Sequence, residues 1–263
     1  MSESDSDSAD INGHPGTPNL PPGIVACLFD LDGVLTNTAK VHAAAWQEMF
    51  DEFLREWSKA NNEPFVPFDP VADYDTYVDG RPRLDGTRAF LESRGIHLPE
   101  GGPDDPPDAL TVHALSERKN RLVLQKIHQD GVEVYPGSVR FLRAVRAVGM
   151  PVAVVSSSAN CAEVLAVTGL EKYVDVRIDG LVAEREHLPG KPAPDTYLAG
   201  ARALNLPPSA GAVFEDALAG VEAGRAGGFG FVVGVDRVGQ ADELRRHGGN
   251  IVVKDLAELL VTA

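Results

Sequence analysis

The stretch Gly23–Phe29, reading GIVACLF, constrains the fold more than any other part of the chain. It carries no charge, ends at Asp30, and is followed at once by Asp32 and Gly33. A short apolar run without polar alternation is what a strand needs when both of its faces are covered. Similar runs recur at Pro151–Val155, Gly211–Phe214, Phe229–Val235 and Ile251–Val253. Helical patterns separate them, at Gly137–Val148, Asn160–Thr168, Asp195–Leu204, Ala217–Ala226 and Ala241–His247. Strand alternating with helix predicts an α/β fold, a Rossmann-like parallel sheet with helices on both faces.

That rhythm stops between Thr38 and Tyr135. Three helical patterns take over, Ala39–Lys59, Asp85–Arg94 and Asp108–Gln129, broken by Pro- and Asp-rich loops at Asn61–Pro70 and Pro99–Pro107. The expected organisation is a helical cap, residues 38–136, inserted after the first strand of a core made of residues 23–37 and 137–263. Its hinges fall near Thr36–Thr38 and Val134–Gly137. Residues 1–22 are rich in Ser, Asp, Gly and Pro and cannot bury enough apolar surface to offset their ordering entropy, so a disordered acidic tail is expected there.

Charge excludes one class of partner. The net charge is −15, and residues 1–22 hold only four of the carboxylates (Glu3, Asp5, Asp7, Asp10) with no Lys or Arg, leaving −11 on the remainder. A nucleic-acid partner needs a basic face, which this balance argues against. No apolar run has the length of a membrane span, and the N-terminus lacks the apolar segment of a secretory signal. The two cysteines, Cys27 and Cys161, have neither metal nor redox spacing, so a reducing, cytoplasmic setting is expected. No obligatory protein partner is evident.

The residues with chemical potential sit where apolar strands end. Asp30 and Asp32 start on the same side of the first strand, because side chains alternate along it. Ser156 closes PVAVV, Glu215-Asp216 closes GAVF, and Lys191 lies in the Pro-stiffened loop Gly190-Lys191-Pro192-Ala193-Pro194 before a helix. Each has a plainer reading alone: an Asp-rich turn, a Ser cap, a solvated lysine, an acidic helix start. In a parallel sheet, however, the carboxyl ends of the strands open onto one crevice, where these groups converge. Four ionised carboxylates against one lysine leave −3 in one place, which demands a cation or raised pKa values. Mg²⁺ suits a site built from oxygen ligands, and the absence of His and Cys argues against zinc. With Mg²⁺ and Lys191 present, a phosphoryl group is the natural ligand.

The order Asp30-x-Asp32-Gly-Val-x-Thr36, then Ser156, then Lys191-Pro192, then Glu215-Asp216, resembles the four motifs of the haloacid dehalogenase superfamily over nearly all of residues 23–263. The resemblance implies that Asp30 is a nucleophile and Asp32 a general acid/base whose backbone carbonyl also meets the metal. It further implies that Ser156 and Lys191 hold phosphoryl charge and that Glu215 and Asp216 complete the metal set. His42-Ala-Ala-Ala-Trp46, Gly80-Arg-Pro-Arg83, Arg118-Lys119-Asn120, Tyr135-Pro136-Gly137 and Ser156-Ser-Ser158-Ala-Asn160 resemble the beta-phosphoglucomutase-like branch. By that likeness His42 positions Asp32, Arg83 and Lys119 grip a second phosphate, and Trp46, Thr36, Asn120, Ser158 and Asn160 join the substrate site. Asn37, Arg81-Pro82 and the two cap loops depart from the branch.

The resemblance implies a Mg²⁺-dependent phosphomutase acting on a small phosphorylated sugar, a hexose phosphate, through an aspartyl-phosphate on Asp30, with beta-glucose 1-phosphate to glucose 6-phosphate as the favoured case. Two alternatives stay open: a sugar-phosphate phosphatase with the same core, and a phosphosugar-binding protein without turnover.

Overall fold

The computed structural model of the chain describes residues 16–261. A six-stranded sheet carries the core. Its strands are β2 (Ala26–Phe29), β3 (Val152–Val155), β4 (Val176–Ile178), β5 (Gly211–Glu215), β6 (Phe231–Val235) and β7 (Ile251–Val253), ordered β4-β3-β2-β5-β6-β7 with every pair parallel. A two-residue strand β1 (Thr17–Pro18) pairs antiparallel with β8 (Leu260–Val261).

Alternation along the strands feeds two apolar layers. Cys27 and Phe29, Val152 and Val154, and Ala212 and Phe214 pack with α4 (Pro136–Ala147) and α5 (Cys161–Val167). Leu28, Ala153, Val155 and Val213 pack with α7 (Asp195–Ala203), α8 (Leu218–Ala226) and α9 (Ala241–His247). Both faces are covered, which is why these strands read as unbroken apolar runs.

Between β2 and α4 run α1 (Ala39–Asn61), α2 (Arg83–Ser93) and α3 (Val112–Asp130). They enclose a core of their own, with Trp46, Phe50, Phe53, Phe68, Phe90 and Leu115, separate from the two layers on the sheet. The two connections to the sheet lie side by side: Asn37 N–H donates to Glu133 O at 2.8 Å and Tyr135 N–H to Leu35 O at 3.1 Å.

Several expectations need correction. Residues 1–15 of the expected disordered tail lie outside the described residues. Residues 16–22 depart from that expectation, because Thr17–Pro18 form β1 and Leu20 packs on the core. The third cap helix starts at Val112 instead of Asp108, where Thr111 caps it by accepting from Ala114 N–H at 3.0 Å. Strand β4 and helix α6 (Gly180–Arg185) had no counterpart in the sequence reading. β4 is an edge strand of three residues with a charged centre, VRI, too short and too polar to register as an apolar run.

Candidate active site

Adjacent parallel strands β3, β2 and β5 place Ser156, Asp30 and Glu215-Asp216 at one edge of the sheet. Lys191 reaches in from the loop before α7 and spends its three donors there. Nζ meets Asp30 Oδ1 at 2.5 Å, Glu215 Oε1 at 2.7 Å and Val155 O at 3.1 Å. Burial alone would lower the Lys191 pKa; the charges of Asp30 and Glu215 outweigh it and hold the ammonium above its ordinary value. Tyr197 OH adds a hydrogen bond to Glu215 Oε1 at 3.1 Å, and Ala217 N–H donates to Oε2 at 3.0 Å.

Asp30, Glu215 and Asp216 each offer an oxygen, and these oxygens all lie within 4.8 Å of one another. Burial pushes the Asp30 carboxyl well above the usual range, an effect Lys191 opposes and Glu215 reinforces. Burial does the same to Asp216, helped by Asp79 and Glu215. The close approach depends on Gly33, which has φ +85° and where a Cβ would fall 1.7 Å from Asp216 Oδ2. Among the described residues no hydrogen-bond donor meets the Asp216 carboxylate. An all-oxygen donor set with under-compensated negative charge fits a hard divalent cation.

The Asp32 carboxylate stands apart from this cluster; the metal contact expected of Asp32 is through its backbone carbonyl. It accepts from the Thr38 hydroxyl and, at 3.3 Å, from Ser156 Oγ. His42 Nε2 lies 3.7 Å from Asp32 Oδ1, too far for a hydrogen bond, and is buried without a partner.

The cap supplies the other wall. Lys119 Nζ donates to His42 Nδ1 at 2.8 Å and sits 4.7 Å from the Trp46 ring centroid. Burial, with Lys119 nearby, pushes His42 down to about 4, so the imidazole is neutral near pH 7 and carries its proton on Nε2, towards Asp32. Burial and Arg83 push Lys119 down to about 7, against the pull of Asp32. The Arg83 guanidinium is held by Glu117. Asn160 Nδ2 donates across to Asn120 Oδ1 at 2.8 Å, and Ser157 Oγ donates to Gly80 O at 3.0 Å, so two hydrogen bonds join cap to core around the site. Ser158 Oγ accepts from Asn160 N–H at 3.1 Å. The cavity between cap and core has a volume of about 440 Å³ and is lined by Asp30, Asp32 and Asp216 on one side and by Arg81, Arg83 and Lys119 from the cap.

Of the substrate residues expected from sequence, Trp46, Arg83, Lys119, Asn120, Ser158 and Asn160 line this cavity and Thr36 does not. Thr36 is fully buried and closes the turn after β2, donating to Leu31 O at 3.1 Å, while its own carbonyl accepts from Gly33 N–H at 2.8 Å. Sequence reasoning missed Thr38, Asp79 and Tyr197. Thr38 and Tyr197 could have been flagged only as hydroxyls near motif residues. Asp79 carried no signal, being one carboxylate among several in its segment.

Residues 24–228 match the family model for haloacid dehalogenase-like hydrolases. The chain is 57% identical over 244 residues to the beta-phosphoglucomutase of Mycobacterium tuberculosis, spanning 92% of this chain and 93% of that one. The crystal structure of beta-phosphoglucomutase from Clostridium difficile shares the fold, with a TM-score of 0.71 at 24% identity, over 90% of this chain and 93% of that one. A HAD family hydrolase from Deinococcus radiodurans, solved with bound phosphate and sodium, has a TM-score of 0.62 at 28% identity, over 92% of this chain and all of that one. With a strand-end carboxylate pair, a helical insertion, a buried lysine and a second carboxylate pair in this order, the chain belongs to the haloacid dehalogenase-like family. It is a phosphoryl-transfer enzyme, and within the family it is of the phosphomutase kind.

Proposed function

We propose that the enzyme isomerises a hexose phosphate, with beta-glucose 1-phosphate to glucose 6-phosphate as its reaction, through a phosphoryl group carried on Asp30. The observation that carries this reading is a cavity with two ends suited to an anion: the Asp30 end, where Lys191 and a cation held by the Asp30, Glu215 and Asp216 carboxylates would receive a phosphoryl group, and the cap wall with Arg83 and Lys119. A phosphatase needs only the first. The high identity to a mycobacterial beta-phosphoglucomutase supports the same choice.

In the forward half-reaction the substrate's own phosphate rests on the cap cations, and its free hydroxyl faces phospho-Asp30. The hydroxyl oxygen attacks phosphorus, the bond from phosphorus to Asp30 breaks, and the proton passes to the Asp32 carboxylate. The bisphosphate then presents its other end. Asp30 attacks that phosphorus, and Asp32 returns the proton to the departing sugar oxygen. Acid/base help of this kind is worth ~10²–10⁴ in rate. Ser156 Oγ, 3.3 Å from Asp32 Oδ2, is the group this reading assigns to a phosphoryl oxygen. Asp30, Glu215 and Asp216 form the set that would hold Mg²⁺, which supplies charge neutralisation so that an anionic carboxylate can approach an anionic phosphoryl group. A cytoplasmic setting belongs to this reading, supported by two buried cysteines that form no disulfide.

The test is a product-resolved assay with Mg²⁺, beta-glucose 1-phosphate and a trace of bisphosphate. Glucose 6-phosphate should dominate, and Asp30→Asn should abolish it together with any hydroxylamine-sensitive phosphoprotein. Free phosphate as the sole product would make the enzyme a phosphatase, and binding without turnover would make it a binding protein.

A further inference from the structure

Arg83 is not a free cation waiting for a phosphate. One nitrogen, Nη2, is paired with Glu117 Oε1 from α3, while Nε is buried and has no partner. A second carboxylate, Glu184 of α6, lines the same cavity and lies close enough to act on the Arg83 charge. A site built only for tight anion capture would leave the guanidinium uncompensated, since each neighbouring carboxylate repels the incoming dianion. Two such carboxylates beside one phosphate-gripping arginine weaken the grip.

A mutase has a use for a weakened grip. Its bisphosphate must release both phosphates and exchange their places before the second transfer, so a cap site that holds too well traps the intermediate. We infer that Glu117 tempers the hold of Arg83 on the non-reacting phosphate and thereby lets the bisphosphate exchange its ends at Asp30. This rests on the reading above, in which Arg83 holds that phosphate. A merely structural Glu117, there to orient the guanidinium, would act through its hydrogen bond, which Gln preserves. The tempering role acts through its charge, which Gln removes.

Glu117→Gln therefore separates the two. Binding of glucose 6-phosphate is measured by calorimetry on enzyme without bisphosphate, and kcat and KM are measured with it. The substitution should tighten binding by up to about fivefold, the range of a partly exposed charge interaction. It should lower KM and kcat together, because release and exchange become slower. Arg83→Ala should weaken binding, and in the double variant the gain from Glu117→Gln should vanish. If Arg83→Ala weakens binding but Glu117→Gln leaves it unchanged or weakens it, the tempering role is overturned and the reading of Arg83 stands. If Arg83→Ala leaves binding unchanged, the second phosphate site falls and the inference with it.

Discussion

At Gly33 a single methyl group separates a cation site from a clash. The turn after β2 needs a left-handed backbone there, and the Asp216 carboxylate occupies the space a side chain would take. Gly33→Ala should cost about 1–3 kcal/mol of stability from the backbone alone. It should also displace Asp216, raising the Mg²⁺ concentration for half-maximal activity. A Mg²⁺ titration alongside a urea midpoint checks both; an unchanged Mg²⁺ requirement would refute the placement of Asp216 in the cation set. Lys119 supports a pH prediction. With its pKa lowered to about 7, it loses its charge as the pH rises through neutrality. A phosphate ester is already a dianion above its second pKa of about 6, so the change in attraction above that pH comes from the protein. KM for the hexose phosphate should rise between roughly pH 6 and 8 in the wild type and stay flat in Lys119→Arg, whose charge persists. A flat wild-type profile would mean that Lys119 does not hold the substrate.

Among the elements, the loop Asp79–Arg83 at the start of α2 and the loop after β3 decide whether the site is closed. Ser157 Oγ bonds Gly80 O across that gap, and Gly190 sits so near Pro82 that a Cβ would come within 2.3 Å of its ring. Ser157→Ala removes one hydrogen bond, worth about 0.5–1.5 kcal/mol, and so should move the ratio of isomerised sugar to free phosphate downward by about twofold to tenfold. Phosphorylation of Asp30 by a small donor such as acetyl phosphate should be unaffected. An unchanged product ratio would mean that this contact does not govern closure. These contacts also mark where sequence reasoning stops. Asp30, Ser156 and Glu215-Asp216 were legible because apolar runs end beside them and a parallel sheet gathers strand ends, and Lys191 because it stands in a Pro-stiffened loop before a helix. The Asp32–Thr38 bond, the Asn120–Asn160 bridge and the Arg83–Glu117 pair were not. Each joins residues through the docking of cap on core or the folding of a turn, which no local pattern encodes. Strand β1 escaped for a related reason: Thr17–Pro18 becomes a strand only by pairing with Leu260–Val261.

As a whole, the molecule is acidic and takes an anionic substrate. With 24 Lys and Arg against 39 Asp and Glu, its long-range field repels sugar phosphates, and attraction has to be local. The cap cations Arg81, Arg83 and Lys119 provide it at one end of the cavity, and a divalent cation held by the carboxylate cluster at Asp30 would provide it at the other. The two connections that carry the cap are tied to the core near that cluster. Arg237 donates to Gly33 O at 2.7 Å and stacks 3.5 Å from the Tyr135 ring centroid, while Tyr135 OH bonds Asn37 Oδ1 at 3.1 Å. Both connections and the turn at Gly33 thus share one fixed point; on the proposed reading, the cap would present a sugar hydroxyl to Asp30 from there in place of water. The direct test is a single-turnover chase. Enzyme carrying a radiolabelled phosphoryl group on Asp30 is mixed with unlabelled hexose phosphate, and the label is followed on quenching. The label should pass first into a sugar bisphosphate and then into the isomerised monophosphate or back to Asp30. Label released only as inorganic phosphate, at a rate indifferent to the sugar, would contradict it.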